Sequence, residues 1–111
     1  MPKHTNDRLQ GTLDLLILNI LARSGVQHGY AIAQRIHHAT DDSLRIEEGS
    51  LYPALYRMER RGWVEAEWGT SELGRRAKLY RLTDDGRAQL AAETATWRRF
   101  AAGVSKILLA R

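Results

Sequence analysis

The segment that most constrains this chain is Glu48–Gly62, whose apolar side chains recur at helical spacing. Leu51, Leu55 and Met58 return to one side of a 3.6-residue turn, so this side is expected to face a core. Pro53 lacks an N–H and is tolerated only in the first turn, where the amides have no intrahelical partner. The pattern therefore predicts a helix that begins near Ser50 and is ended by Gly62.

The opposite side of this predicted helix carries small, aromatic and guanidinium groups, which have little reason to pack inside a core. Such a surface is what a helix needs to enter a DNA groove. An ordinary amphipathic helix with a solvated basic face fits this segment equally well. The residues on this side are Gly49, Ser50, Pro53, Tyr56, Arg57 and Arg60.

Directly after Gly62 the apolar period changes from 3.6 to 2, which is typical of half-buried strands. One strand is predicted at Trp63–Trp68, where apolar residues alternate with two glutamates. A second is predicted at Lys78–Thr83, where Tyr80 and Leu82 share one face. The inward residues predicted for the first strand are Val64, Ala66 and Trp68.

The connection Gly69–Ala77 contains the basic pair Arg75 and Arg76. A hairpin tipped with arginines directly after a basic helix is a wing. Such arginines can neutralise phosphates or enter a narrow minor groove. A flexible loop with solvated charges is the alternative.

The N-terminal part of the chain predicts a loose polar arm, Met1–Gln10, followed by a helix, Gly11–Ser24, that Gly25 stops. This helix is apolar on nearly all sides, so it needs more than one neighbour. In a chain of this length the second neighbour is expected to belong to another subunit.

A second helix is predicted from His28-Gly29 to about Ala39, with Tyr30, Ala33 and Ile36 facing inward. Three helices with a short turn before the third form the helix-turn-helix plan. The adjacent His37 and His38 point about 100° apart on a helix and have no further ligand at suitable spacing, so we interpret them as a solvated pair.

A last helix is predicted from Thr83, as its N-cap, nearly to Arg111, because Asp84 and Asp85 favour a helix start. Its apolar residues alternate spacings of four and three, as in a seam that packs on another subunit's helices. The seam residues are Leu90, Thr94, Trp97, Ala101, Val104 and Leu108.

The length and composition of the chain limit the classes of function that it can have. A chain of 111 residues fits one domain, and its net charge of +4 favours an anionic partner. The sequence has no cysteine, which suits a reducing cytoplasm and leaves no thiolate for a metal site or a nucleophile. No secretion signal, membrane span, phosphate-binding glycine motif or catalytic spacing is recognisable, so we expect no enzyme activity, no cofactor and no membrane partner.

From about Leu13 to Leu108 the chain resembles the PadR-type transcriptional regulators, in particular the subgroup with a single C-terminal helix. The resemblance implies a bacterial winged helix-turn-helix repressor, mainly α with a small β-hairpin, and a homodimer whose C-terminal helix packs on the partner's first helix. The segments that carry it are Gly29-Tyr30, Gly49–Leu55, Leu73–Lys78 and Tyr80–Gly86. It differs at Leu79, where the family often has an aromatic residue.

The resemblance also implies site residues. Ser50, Tyr52, Pro53 and Arg57 occupy positions that face DNA, and Arg75, Arg76 and Lys78 occupy the wing. Tyr56 and Arg60 join them from the helical pattern. The dimer interface is expected at Leu13 and Ile17 together with the seam, so residues 1–83 form the DNA-binding domain, with 1–10 as a flexible arm, and 84–111 form the dimerisation helix.

We therefore expect a dimeric repressor of an inverted-repeat operator, with half-sites roughly 34–36 Å apart. Arg57 is predicted to read bases, and Arg75 and Arg76 to bind phosphates. The family also suggests a small-molecule effector held at Trp97, although a seam tryptophan can equally be core. A protein-interaction module that uses the basic third helix without DNA is the alternative function.

Overall fold

A computed structural model describes the backbone of residues 3–70 and 73–111 and the side chains of residues 12–70 and 73–111. The predicted fold, mainly α with a small β-sheet in a winged helix-turn-helix, is confirmed. The elements in chain order are α1 (Lys3–Ser24), β1 (Gln27–His28), α2 (Gly29–Ala39), α3 (Glu48–Arg60), β2 (Val64–Thr70), β3 (Arg76–Leu82) and α4 (Asp84–Leu108).

The core lies between α1, α2, α3 and the base of the sheet. Leu13, Ile17 and Leu18 of α1 are fully buried there, as are Leu55 and Met58 of α3. In α2 the buried stripe is Ile32, Ala33 and Ile36, whereas Tyr30 is 55% exposed. The prediction that Tyr30 faces inward was wrong, because the spacing from Gly29 through Ile32 to Ile36 places Tyr30 off the buried side.

The first helix begins at Lys3, so the backbone of residues 3–10 is helical where the sequence predicted a loose arm. No glycine or proline interrupts this stretch. The later turns of α1 are fixed by packing in the core. Adding residues to a helix that already exists avoids the unfavourable free energy of nucleation. Met1 and Pro2 of the predicted arm lie outside the described residues. At the other end, Gly25 stops the helix as predicted, with a φ of 80°.

Helix α3 begins at Glu48, two residues before the predicted start, so Pro53 lies just beyond the first turn and removes the intrahelical donor for the Gly49 carbonyl. The end of the helix agrees with the sequence. Gly62 adopts a φ of 79°, its N–H bonds to the Glu59 carbonyl at 3.1 Å, and the Trp63 N–H bonds to the Met58 carbonyl at 2.9 Å. This pair of bonds is the Schellman motif, and it turns the chain directly into β2.

The sheet has the strand order β1-β3-β2 and is antiparallel throughout. The two long strands form the predicted hairpin, with Val64 opposite Leu82 and Trp68 opposite Lys78. Strand β1 was not predicted, because two residues are too few to show a period. It is held in place by Gln27, whose buried side chain donates to the Gly25 carbonyl and accepts from Arg35 Nε.

Helix α4 starts as predicted. The Thr83 hydroxyl accepts a hydrogen bond from the Gly86 N–H at 2.9 Å and donates to the Gly62 carbonyl at 2.6 Å. One side chain therefore caps α4 and ties its start to the end of α3. The helix runs to Leu108, and the molecule measures 55 × 28 × 28 Å.

Candidate nucleic-acid interface

The exposed face of α3 lies opposite its four buried residues, Leu51, Ala54, Leu55 and Met58. At about 100° per residue, Gly49, Pro53, Tyr56 and Arg60 occupy the middle of that face. Tyr52 lies on the flank towards the sheet, and Ser50 and Arg57 lie on the flank towards α1.

Arg60 and Tyr56 form one unit on this exposed face. The guanidinium carbon of Arg60 is 5.7 Å from the centroid of the Tyr56 ring, and Nη1 donates to the tyrosine hydroxyl at 3.2 Å. Within the described part of the chain, Arg60 makes no ion pair with a carboxylate. Its remaining N–H groups can therefore bind a ligand in front of α3.

Arg57 is directed away from this face and towards α1. Its Nη2 is 3.2 Å from Oδ1 of Asp14, whose side chain is only 14% exposed. Burial raises the pKa of Asp14 although the nearby Arg57 guanidinium lowers it, and Glu93 of α4 raises it further. The geometry therefore does not favour the prediction that Arg57 reads bases, because its guanidinium is engaged between helices.

Tyr52 links α3 to the start of α2. A Cβ on Gly29 would lie 2.7 Å from Cε1 of the Tyr52 ring, so only glycine leaves room for the aromatic side chain. Burial raises the pKa of the Tyr52 hydroxyl, and the Glu48 carboxylate adds to this rise. Tyr52 is 42% exposed and lines a common groove with residues of the wing.

The wing is the part of the β2–β3 hairpin that extends beyond the core. Trp68, Arg76 and Lys78 share its inner face, as their register and alternation require. Lys78 Nζ is 3.5 Å from Oε1 of Glu59, so this residue ties the wing to α3 and is partly neutralised. Arg75 and Arg76 are exposed, while Ser71 and Glu72 of the predicted connection lie outside the described residues.

Trp68 is 57% exposed, so the prediction that it faces the core was wrong. The alternation that put it on the inner face was correct, but the hairpin has left the core by this point in the strand. The guanidinium carbon of Arg76 is 4.6 Å from its ring centroid. Trp68 is thus a candidate site residue that sequence reasoning missed, and its only sequence signal was its position in a predicted wing.

A groove of about 640 Å³ joins the wing to the helices. Tyr52 of α3, Tyr30 of α2 and the wing residues Trp68, Arg75 and Arg76 all line it. The exposed face of α3 and the wing are therefore continuous through Tyr52, whereas Arg57 lies on the other flank.

A second cavity, of about 650 Å³, lies between α1 and α4. Trp97 and Phe100 face it, with ring centroids 6.0 Å apart, and among its described lining residues Glu93 is the only charged one. Leu15 lines it from α1. Phe100 was missed by the sequence pattern because it precedes the seam residue Ala101 and therefore lies about 100° from it around the helix.

The predicted interface residues separate into two groups. Leu13 and Ile17 are 0% exposed inside the subunit's own core, so their assignment to a dimer interface was wrong. The seam side of α4 instead becomes more exposed along its length. Leu90 packs against the core and Thr94 and Ala101 are half-buried, while Trp97, Val104 and Leu108 are exposed.

No group of three potential metal ligands occurs around the histidine pair or elsewhere among the described residues. His37 is not simply solvated, because its Nε2 accepts a hydrogen bond from the Ile46 N–H at 2.6 Å. It thereby fixes the link that leads into α3. None of the helices in the part of the chain that the structure describes could span a membrane.

The model of the transcriptional regulator PadR-like family matches residues 17–92. The chain belongs to this family. A protein of Lysinibacillus sphaericus is 34% identical to this PadR-like chain over 92 residues, covering 83% of the chain and 84% of the relative.

Two solved structures of transcriptional regulators have folds similar to that of this PadR-like chain. A transcriptional regulator from Clostridium thermocellum has a TM-score of 0.81 and 30% identity, covering 90% of this chain and 96% of that one. A PadR family transcriptional regulator from Eggerthella lenta has a TM-score of 0.76 and 31% identity, covering 98% and 93%.

Proposed function

We propose that this PadR-like regulator is a homodimeric repressor that binds an inverted-repeat operator in duplex DNA. The observation that carries the proposal is the continuous surface formed by the exposed face of α3, Tyr52 and the wing arginines. Arg60 and Tyr56 lie in the major groove and Arg75 and Arg76 bind phosphates or the adjacent minor groove. Gly49, Ser50 and Pro53 allow close approach to the DNA.

Arg60, rather than Arg57, is the residue proposed to read bases. Its guanidinium is on the middle of the exposed face and is oriented by the Tyr56 hydroxyl, whereas that of Arg57 is paired with Asp14. A bidentate contact to guanine discriminates against a wrong base by about 1–3 kcal/mol. Lys78 contributes less to DNA binding than its charge suggests, because the Glu59 carboxylate partly neutralises it.

The test begins with selection of a binding site from a random duplex pool, followed by fluorescence anisotropy on the selected and scrambled duplexes. Arg60→Ala is expected to weaken binding to the selected site about tenfold or more and to the scrambled duplex much less. Arg81→Ala is the matched control, because Arg81 lies on the outer face of the hairpin paired with Glu65. Equal losses for both duplexes would make Arg60 a phosphate contact.

The salt dependence of duplex binding distinguishes this function from the alternative, a protein-interaction module. Duplex binding should weaken with salt at a log–log slope of about −0.9 per neutralised phosphate. A protein-interaction module predicts no measurable duplex affinity even at low ionic strength. That result would reject the proposed function as a whole.

The cavity between α1 and α4 supports a second element of the proposal, which is release by a small-molecule effector. Its volume of about 650 Å³ is in the range of ligand pockets, and its described lining, with two aromatic rings and the Glu93 carboxylate, suits planar cationic compounds. Titration of such compounds should quench tryptophan emission, and Trp97→Phe should remove the response. Ligand that binds without weakening DNA affinity would show that the two sites are uncoupled.

A further inference from the structure

Within the proposed DNA-binding function, we infer that the groove between the wing and α2 binds one sugar–phosphate strand of the duplex, and that Trp68 contacts this strand directly. The inference rests on that function and adds a contact residue and a mode of recognition. Trp68 packs against a deoxyribose, while Arg76, held on the indole, binds the neighbouring phosphate.

The exposure of Trp68 is the first observation. Its position on the inner face of β2 is the one that Val64 fills in the core, yet 57% of the side chain is exposed. The ring is therefore an apolar surface that faces the groove and is not needed to complete the core. The flat apolar indole can pack against the face of a sugar or of a base, which a small polar side chain cannot do.

The state of Arg76 is the second observation. Its guanidinium carbon lies 4.6 Å from the Trp68 ring centroid, which is a cation–π contact. Such a contact does not consume the guanidinium N–H groups, which can donate to phosphate oxygens. In the described residues Arg76 has no ion pair, whereas Lys78 beside it is engaged by Glu59. Lys78 thus fixes the wing on α3, and Arg76 supplies charge to the ligand.

The other residues that line the groove also suit a sugar–phosphate strand. The start of α2 lines the groove at Gly29, and its N-cap residue His28 makes no side-chain cap. The first amides of a helix without such a cap attract an anion. No carboxylate occurs among the described lining residues, and the charged ones are cationic. Alternating apolar and cationic groups match a chain of sugars and phosphates.

Backbone recognition has a distinct consequence for specificity. Since every duplex has the same sugars and phosphates, loss of Trp68 should weaken binding to operator and scrambled duplexes by the same factor. This separates Trp68 from Arg60, whose loss should weaken operator binding selectively.

The main experiment measures binding of both duplexes to full-length Trp68→Leu, Arg76→Ala and the double variant. Trp68→Leu is expected to weaken binding to both duplexes about tenfold, in the lower part of the range for aromatic side chains that stack on bases, because a deoxyribose offers a smaller face than a base. The double variant should bind more tightly than the product of the two single losses predicts, because Arg76 depends on the indole. Arg81→Ala, on the outer face, is the control. Circular dichroism and thermal unfolding verify that each variant is folded.

A spectroscopic measurement tests direct contact. In the Trp63→Phe/Trp97→Phe background Trp68 is the only tryptophan, and saturating duplex should shift its emission and protect it from iodide. Folded Trp68→Leu that binds both duplexes within twofold of the parent, or Trp68 emission unchanged by duplex, would overturn the inference. Failure of the parent protein to bind any duplex would instead reject the proposed function.

Discussion

Among the described glycines, Gly86 leaves the least room for a side chain. It lies in the first turn of α4, where an added Cβ would be 2.1 Å from the Trp63 carbonyl oxygen and 2.6 Å from Cδ1 of Leu82. The first neighbour is backbone and cannot rotate away. The close approach of α4 to the end of α3 thus depends on the absence of a side chain.

Gly86→Ala is expected to destabilise the protein by about 3 kcal/mol or more, because the helix start must move away from the hairpin. Gly103→Ala is the matched control in the same helix, since an added Cβ there meets nothing within 4 Å. It should stabilise by about 0.5–1 kcal/mol through lower backbone entropy in the unfolded chain. Urea unfolding measures both. A Gly86→Ala protein as stable as the parent would contradict the described packing.

At the scale of elements, the Asp14–Arg57 pair joins α1 to α3 close to α4. Desolvation outweighs the attraction of Arg57, so the folded state holds the Asp14 proton more tightly than the unfolded chain does. A raised carboxyl pKa means that stability from this group decreases as pH rises from its unfolded value through its folded value. Burial of Asp14 therefore costs stability when this carboxyl is ionised, and Arg57 offsets part of that cost.

Arg57→Ala removes the attraction that lowers the pKa of Asp14 and leaves a largely buried carboxylate without its ion-pair partner. We expect a loss of about 1–2 kcal/mol at neutral pH, between the values for exposed and fully buried pairs. The loss should shrink at acid pH, where Asp14 becomes protonated. Urea unfolding at neutral and at acid pH measures it.

Asp14→Asn is the control background, because it removes the titrating group with little change in shape. Arg57→Ala should cost less there, and its cost should no longer depend on pH over this range. A pH-independent loss in the parent background would show that Arg57 stabilises through packing alone.

At the scale of the whole molecule, the distal half of α4 leaves large apolar side chains without cover. Phe100 is 62% exposed, Ile107 78% and Leu108 74%. A contiguous exposed apolar face of this kind typically marks a protein interface. We propose that a second copy covers it, which would also close the cavity beside Trp97.

Val104→Glu places a charge on that face and should convert the protein to a monomer in sedimentation velocity at micromolar concentration. Operator affinity should fall with it, because two half-sites would no longer be bound together. Ala102→Glu adds the same charge on the other side of α4, about 200° away, and should leave the dimer intact. A parent protein that sediments as a monomer would refute the proposed interface.

Much of the fold was determined by local sequence. The 3.6-residue period of α3, the change to a period of 2 after Gly62 and the Thr83 cap fixed the order of helices and strands, because each depends on neighbours within a few residues. The face of α3 that carries Arg60 and Tyr56 followed from the same period. Strand β1 could not follow, since two residues carry no period.

Tertiary structure decided what each exposed position faces. A helical period assigns Arg57 to a side of α3 but cannot show that Asp14 lies opposite it in α1. Alternation assigns Trp68 to the inner face of the wing but cannot show where the core ends. Leu13 and Ile17 are apolar whichever surface covers them, and only packing shows that their own subunit does. Periodicity depends on chain geometry alone, whereas neighbours depend on how distant elements meet.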